Sequence, residues 1–142
     1  MMSRTNTLTA IGLLVLTTGH ACGQQEQTVN DEDIIVSSSE AMQYPALAHA
    51  ARREGVVVLQ VKMDDDGKVV SARAISGSKM LIPDTLANVV KWRFRPNSNK
   101  TAVVIYEFHL VEGKCDLGRH GQFAFRGANV ATVTACEMQW QP

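Results

Sequence analysis

The sequence predicts an α+β domain: a three-stranded antiparallel sheet with two helices on one face, followed by a small β tail. Three observations carry this prediction. Residues 56–63 and 68–76 alternate in hydropathy on either side of Asp64-Asp65-Asp66-Gly67, the pattern of a hairpin. Residues 46–54 and 81–92 carry helix formers or apolar residues at helical spacing. The order helix, strand, strand, helix, strand gives a sheet too small to need helices on both faces.

The first helix opens at Tyr44-Pro45, since proline lacks only an N–H that the first turn leaves unpaired. Gly55 is placed to end it in a left-handed cap. Leu47, Ala50, Ala51 and Glu54 share its expected buried stripe, with His49, Arg52 and Arg53 pointing elsewhere. In the strand 56–63, Val57, Leu59, Val61 and Met63 form the apolar face. Gly67 supplies the positive φ of the turn. In the second helix Ile82, Leu86, Val89 and Val90 fall on one face, and Pro83 and Asp84 suit its first turn. Pro96 prevents continuation. The third strand covers 102–110, with Val104, Tyr106, Phe108 and Leu110 on one face. Residues 122–125 and 130–138 alternate like two short strands among Gly113, Gly118, Gly121 and Gly127.

The N-terminus has a different character. Arg4, an apolar run at 8–16 and small residues at 17–21 are the parts of a secretory signal peptide. The run is too short to span a bilayer, which takes about 20 residues. Residues 1–21 are therefore expected to be removed. Gly19 and Ala21 suit an ordinary cleavage; Ala21 also suits lipidation of Cys22, which would anchor the protein to a membrane, although that pattern prefers Leu where Gly19 stands. Residues 22–43 read as a polar tether, interrupted by a short strand at 34–36, and residues 44–111 as the domain. Residues 112–142 form the tail. Export places Cys115 and Cys136 in an oxidising compartment, where they are expected to form a disulfide.

Lys+Arg and Asp+Glu both number 14, so no global field attracts nucleic acid. No catalytic constellation, metal site or cofactor motif is present. Asp64–Gly67 lacks the spaced ligands and distal Glu of a calcium loop. His20, His49, His109 and His120 are scattered, with no ligand spacing. Ser76-Gly77-Ser78 is turn chemistry, and no Ser sits in a nucleophile elbow. The pairs Arg52-Arg53 and Arg93-Arg95 are solvated by default.

A spaced set of residues resembles the TonB C-terminal domain family. It runs Tyr44-Pro45, Ala48, Arg52, Glu54-Gly55, residues 56–61, Asp66-Gly67-Lys68-Val69, Ile75-Ser76-Gly77-Ser78, Leu81 and Trp92-Arg93-Phe94-Arg95-Pro96. The resemblance covers 44–110. Tyr44, Pro45, Gly55, Gly67, Trp92, Phe94 and Pro96 read as fold residues, with Trp92 and Phe94 as apolar anchors that pin the second helix to the sheet.

The resemblance implies a non-enzymatic periplasmic role. It implies binding of a TonB-dependent outer-membrane receptor, whose short box adds as a strand to the sheet edge, in energy-coupled transport. By analogy the edge is the strand 102–110, with Val103, Ile105, Glu107 and His109 toward the partner. A homodimer through sheet edges is a further implication. The alternative is a structural envelope protein whose own tail covers that edge and which has no transduction role.

Overall fold

The computed structural model describes residues 34–118 and 121–138. The signal segment, Cys22 and His120 lie outside the described residues. In chain order the elements are β1 (Val36–Ser38), α1 (Ala46–Ala50), β2 (Gly55–Met63), β3 (Val69–Ser76), α2 (Ile82–Val89), β4 (Arg93–Phe94), β5 (Thr101–Val111), β6 (Gln122–Arg126) and β7 (Val130–Cys136). The α+β class and both helices are as predicted. The sheet is not: it has five strands in the order β3-β2-β5-β7-β6. β2 pairs antiparallel with β3 and β5, whereas β7 pairs parallel with β5. The tail is part of the main sheet and not an appendage. Its strands alternate as the sequence indicated, but pattern alone does not say which strand they join.

The core lies between one face of this sheet and the helices. Val57, Leu59, Val61, Val104, Tyr106, Phe108, Ala131 and Val133 point inward at nearly complete burial, against Ala48, Leu81, Val89, Trp92 and Phe94. The tail contributes directly to this layer. Trp92 meets the rings of Phe123 and Phe125 edge-on, at 6.3 and 5.2 Å between centroids. Both phenylalanines belong to β6. The opposite sheet face carries Val58, Gln60, Val103, Ile105 and Thr132, with no helix across it among the described residues.

Several local expectations are corrected. α1 is shorter than 46–54: it ends at Ala50, and the left-handed residue that caps it is Arg52, not Gly55. Arg52 takes φ 49°. Its N–H donates to His49 O and that of Arg53 to Ala48 O, which is the Schellman pattern. Gly55 instead starts β2 at φ 145°. The buried residue of α1 is Ala48, and Leu47 is 67% exposed. The inward side of α2 and its flanks carries Leu81, Thr85, Asn88, Val89 and Trp92, with Ile82 and Leu86 half-buried against the core as expected; two polar residues join this stripe, and Val90 lies outside it. The strand expected at 34–36 lies slightly later and pairs with β4, which contains Phe94. Ile34 is buried in the core, and Asn88 Nδ2 donates to Glu40 O. Residues 34–43 therefore lie against the domain.

Gly67 holds the β2–β3 turn for a steric reason as well as a conformational one. At φ 76°, a Cβ there would lie 1.7 Å from Phe94 O. Phe94 N–H in turn donates to Gly67 O. The turn is thus clamped onto the Trp92–Phe94 segment, with Pro96 Cδ at its flank.

Candidate protein-binding edge

β5 is built to be a central strand. Ala102, Val104, Tyr106 and Phe108 are buried on the helix side. Val103, Ile105 and Glu107 are half-buried on the other face, and His109 is exposed. One edge of β5 pairs with β2 from Thr101 to Phe108. The second edge is the one expected to be open. It is occupied: β7 pairs with it from Ile105↔Val130 to Val111↔Cys136. Ile105 N–H donates to Asn129 O at the start of the ladder, and Glu137 N–H donates to Val111 O at its end. Asn129 Nδ2 also donates to Val103 O.

Peptide groups alternate along a strand. Those of Val103, Ile105, Glu107 and His109 therefore face β7. The residues assigned to a partner face the chain's own tail instead. Their side chains come together with those of the tail. Ile105, Glu107 and His109 stand opposite Val130, Thr132 and Thr134. Glu107 Oε2 lies 3.6 Å from Arg126 Nη1 and 3.8 Å from His109 Nε2. It has no hydrogen-bond partner, and neither does Thr132 Oγ1. The cluster has charge balance without close donors.

The tail is latched at the end where β5 and β7 finish. Cys115 and Cys136 form a disulfide, with Cα atoms 5.5 Å apart. His49 Nε2 makes a 2.6 Å hydrogen bond with Cys136 O, and Arg52 pairs with Glu137 at 3.1 Å. Glu54 Oε1 accepts from Leu110 N–H. Helix α1 and the residues that follow it thus clasp the ends of both strands. His49, expected to be on a solvated face, is half-buried in this contact.

A family model described as Gram-negative bacterial TonB protein C-terminal matches residues 40–110. The chain belongs to the TonB C-terminal family. No curated protein matches it. The matched TonB region ends at Leu110, so β6, β7 and the disulfide all lie beyond it. A TonB C-terminal domain is a protein-interaction domain of the cell envelope and does no chemistry on a substrate. Among the described residues no group of acidic, His or Cys side chains could hold a metal, and no helix is long and apolar enough to cross a membrane.

The TonB motif residues have structural work in this chain. Tyr44 OH donates to Arg53 O at 2.7 Å and tethers the exit of α1. Its ring stands edge-on to Phe108 at 5.4 Å. Burial and the nearby Glu54 carboxylate push its phenol up to about 12. Trp92 and Tyr106 both donate to Asn88 Oδ1, at 3.0 and 2.8 Å. Asn88 thereby joins α2, the Trp92 anchor, β5 and the entry segment. Burial raises the Tyr106 phenol as well. Asn88 and Asn129 escaped the sequence reading. The one available signal was that an inward Trp and an inward Tyr each need an acceptor.

Proposed function

We propose that the chain acts in the periplasm as a TonB-like protein-binding module. It would engage an outer-membrane receptor or another envelope partner by β-strand addition in energy-coupled transport. The observation that supports this reading is the completeness of the family's domain over the matched residues 40–110, from the Tyr44 tether to β5. In this reading Val103, Ile105, Glu107 and His109 present the backbone groups that a partner strand would use. A partner strand would have to replace β7 there. Lipidation of Cys22 would keep the domain at a membrane surface.

The β5–β7 ladder favours a second reading: an envelope domain whose edge is self-covered and which takes no part in transduction. One experiment separates the two. The purified chain with its disulfide intact, and a Cys115→Ser/Cys136→Ser variant, are each incubated with solubilised outer-membrane proteins. The bound proteins are then identified by mass spectrometry. Enrichment of β-barrels with a plug domain supports the receptor reading. Stronger capture by the disulfide-free form would show that β7 must leave first. No barrel enriched by either form overturns the receptor reading and leaves the self-covered one.

A further inference from the structure

The seam between β5 and β7 is weaker than its length suggests. It is parallel, and parallel ladders are slightly less stable per residue than antiparallel ones. β7 presents only Ala131, Val133 and Ala135 to the core, so it brings little apolar surface of its own to the closed state. Two polar atoms buried along the seam, Glu107 Oε2 and Thr132 Oγ1, have no hydrogen-bond partner, which counts against the closed ladder.

The fastening is concentrated at one end. The Cys115–Cys136 bond, the hydrogen bond between His49 and Cys136 O and the Arg52–Glu137 ion pair all act there. The ion pair adds little, because the Arg52 side chain is 54% exposed. Only the disulfide is covalent. While it is closed, the C-terminal end of β7 cannot move away from the end of β5. The bond is also within reach of a thiol. Cys115 and Cys136 are both half-buried and not sealed in the core. A cavity of about 300 Å³, lined in part by His49, Gly118, Gly121, Cys136 and Met138, lies beside it.

We propose that the Cys115–Cys136 disulfide is a redox-operated catch: a dithiol reductant opens it and so lets the β6–β7 hairpin leave the β5 edge. This rests on the reading in which a partner strand takes the place of β7, and it gives that exchange its control. The chemistry is thiol–disulfide exchange. One thiolate of the reductant attacks a sulfur of the bond, forming a mixed disulfide and releasing the other cysteine as a thiolate. The second thiolate of the reductant then attacks the mixed disulfide and frees the second cysteine. Two electrons pass to this chain, the two protons of the dithiol end on Cys115 and Cys136, and the reductant leaves as its own disulfide. The reverse exchange with an oxidised dithiol closes the catch. Reduction does not by itself unfold the tail, because His49 and Arg52 still hold it. It raises the share of molecules in which the hairpin is off the edge. A catch differs from a staple in what opens. Losing a staple frees all strands together, whereas losing a catch frees β6–β7 while β2, β3 and β5 stay paired.

The test uses the full chain, dithiothreitol as the dithiol, and amide hydrogen exchange read by mass spectrometry. Alkylation should show Cys115 and Cys136 reduced without denaturant. On reduction, the ratio of exchange rates in β7 to those in β2 should rise by about tenfold or more. Cys115→Ser/Cys136→Ser should show the raised ratio with no reductant, and dithiothreitol should not raise it further. An unchanged ratio overturns the proposal, because the bond then supports only the fold as a whole. So does a bond that dithiothreitol reduces only in denaturant. No receptor enters these measurements. A raised ratio with no barrel captured leaves the catch standing and removes the receptor reading. Capture of barrels with an unchanged ratio does the reverse.

Discussion

Asn88 is the residue with the most unusual set of demands on it. Its amide oxygen serves both Trp92 Nε1 and the Tyr106 hydroxyl, and its amide nitrogen serves Glu40 O. Asn88→Ala leaves two buried donors without an acceptor, each costing about 1–3 kcal/mol. The expected loss is about 2–5 kcal/mol, read from the urea unfolding midpoint at unchanged m-value. At Gly67, alanine would add a strained positive φ to a collision with Phe94 O. Gly67→Ala should therefore cost about 2 kcal/mol or more and show as a lowered Tm. Tyr44 titrates with the fold. Its pKa rises from 10.0 to about 12 on folding, so the folded state holds the proton more tightly. The associated stability is complete below pH 10 and is lost as the pH climbs toward 12. Tyr44→Phe should flatten that alkaline decline. Part of it should remain, because Tyr106 shifts in the same direction. Thermal melts from pH 9 upward would measure it, and an unchanged slope in Tyr44→Phe would count against the assignment.

Among the elements, β7 has the largest effect on the architecture. Its inward residues are small, Ala131, Val133 and Ala135, and all three are buried. They leave the space beside Tyr106 and Trp92 to the phenylalanines of β6. The parallel register also follows from the covalent chemistry. Cys115 lies just past the end of β5 and Cys136 ends β7, so their bond brings both C-terminal strand ends to one end of the sheet. Reduction, or Cys115→Ser/Cys136→Ser, opens a loop with a sequence separation of 21. The chain-entropy model gives a loss of about 3 kcal/mol. Equilibrium unfolding with and without a dithiol checks this. Because His49 and Arg52 also hold the end of β7, the reduced protein should keep its native far-UV spectrum at room temperature.

On the scale of the whole molecule, a five-stranded sheet covered by two short helices needs its tail. Removing residues 111–142 strips more than a sheet edge. It uncovers the inner faces of Tyr106 and Phe108 and takes Phe123 and Phe125 away from Trp92. Truncation should yield a protein that associates through the bared edge and melts well below the full chain. Light scattering coupled to size-exclusion chromatography, with circular dichroism, tests both. A truncated form that is monomeric and equally stable would show that the tail is dispensable.

The sequence by itself determined the local elements and the family. Alternation fixed the inward faces of β2 and β5, because strand side chains have a period of two whatever their neighbours. Gly67, Pro96 and the Trp92–Phe94 spacing marked the turns and anchors, because backbone and steric constraints act locally. The pair Cys115 and Cys136 was legible as well. The tertiary structure alone decided how the strands are ordered. Periodicity carries no information about which strand lies beside which, so the edge assigned to Val103, Ile105, Glu107 and His109 could be identified but not shown to be filled. The helix faces were settled in the same way. Leu47 and Val90 are apolar but lie outside, while Thr85 and Asn88 lie inside. Thr85 satisfies its hydroxyl on Leu81 O, and Asn88 finds partners in the segment before α1, at Glu40, and on β5, at Tyr106. Hydrogen bonds between distant segments decided these positions, and hydropathy along a single helix does not encode them.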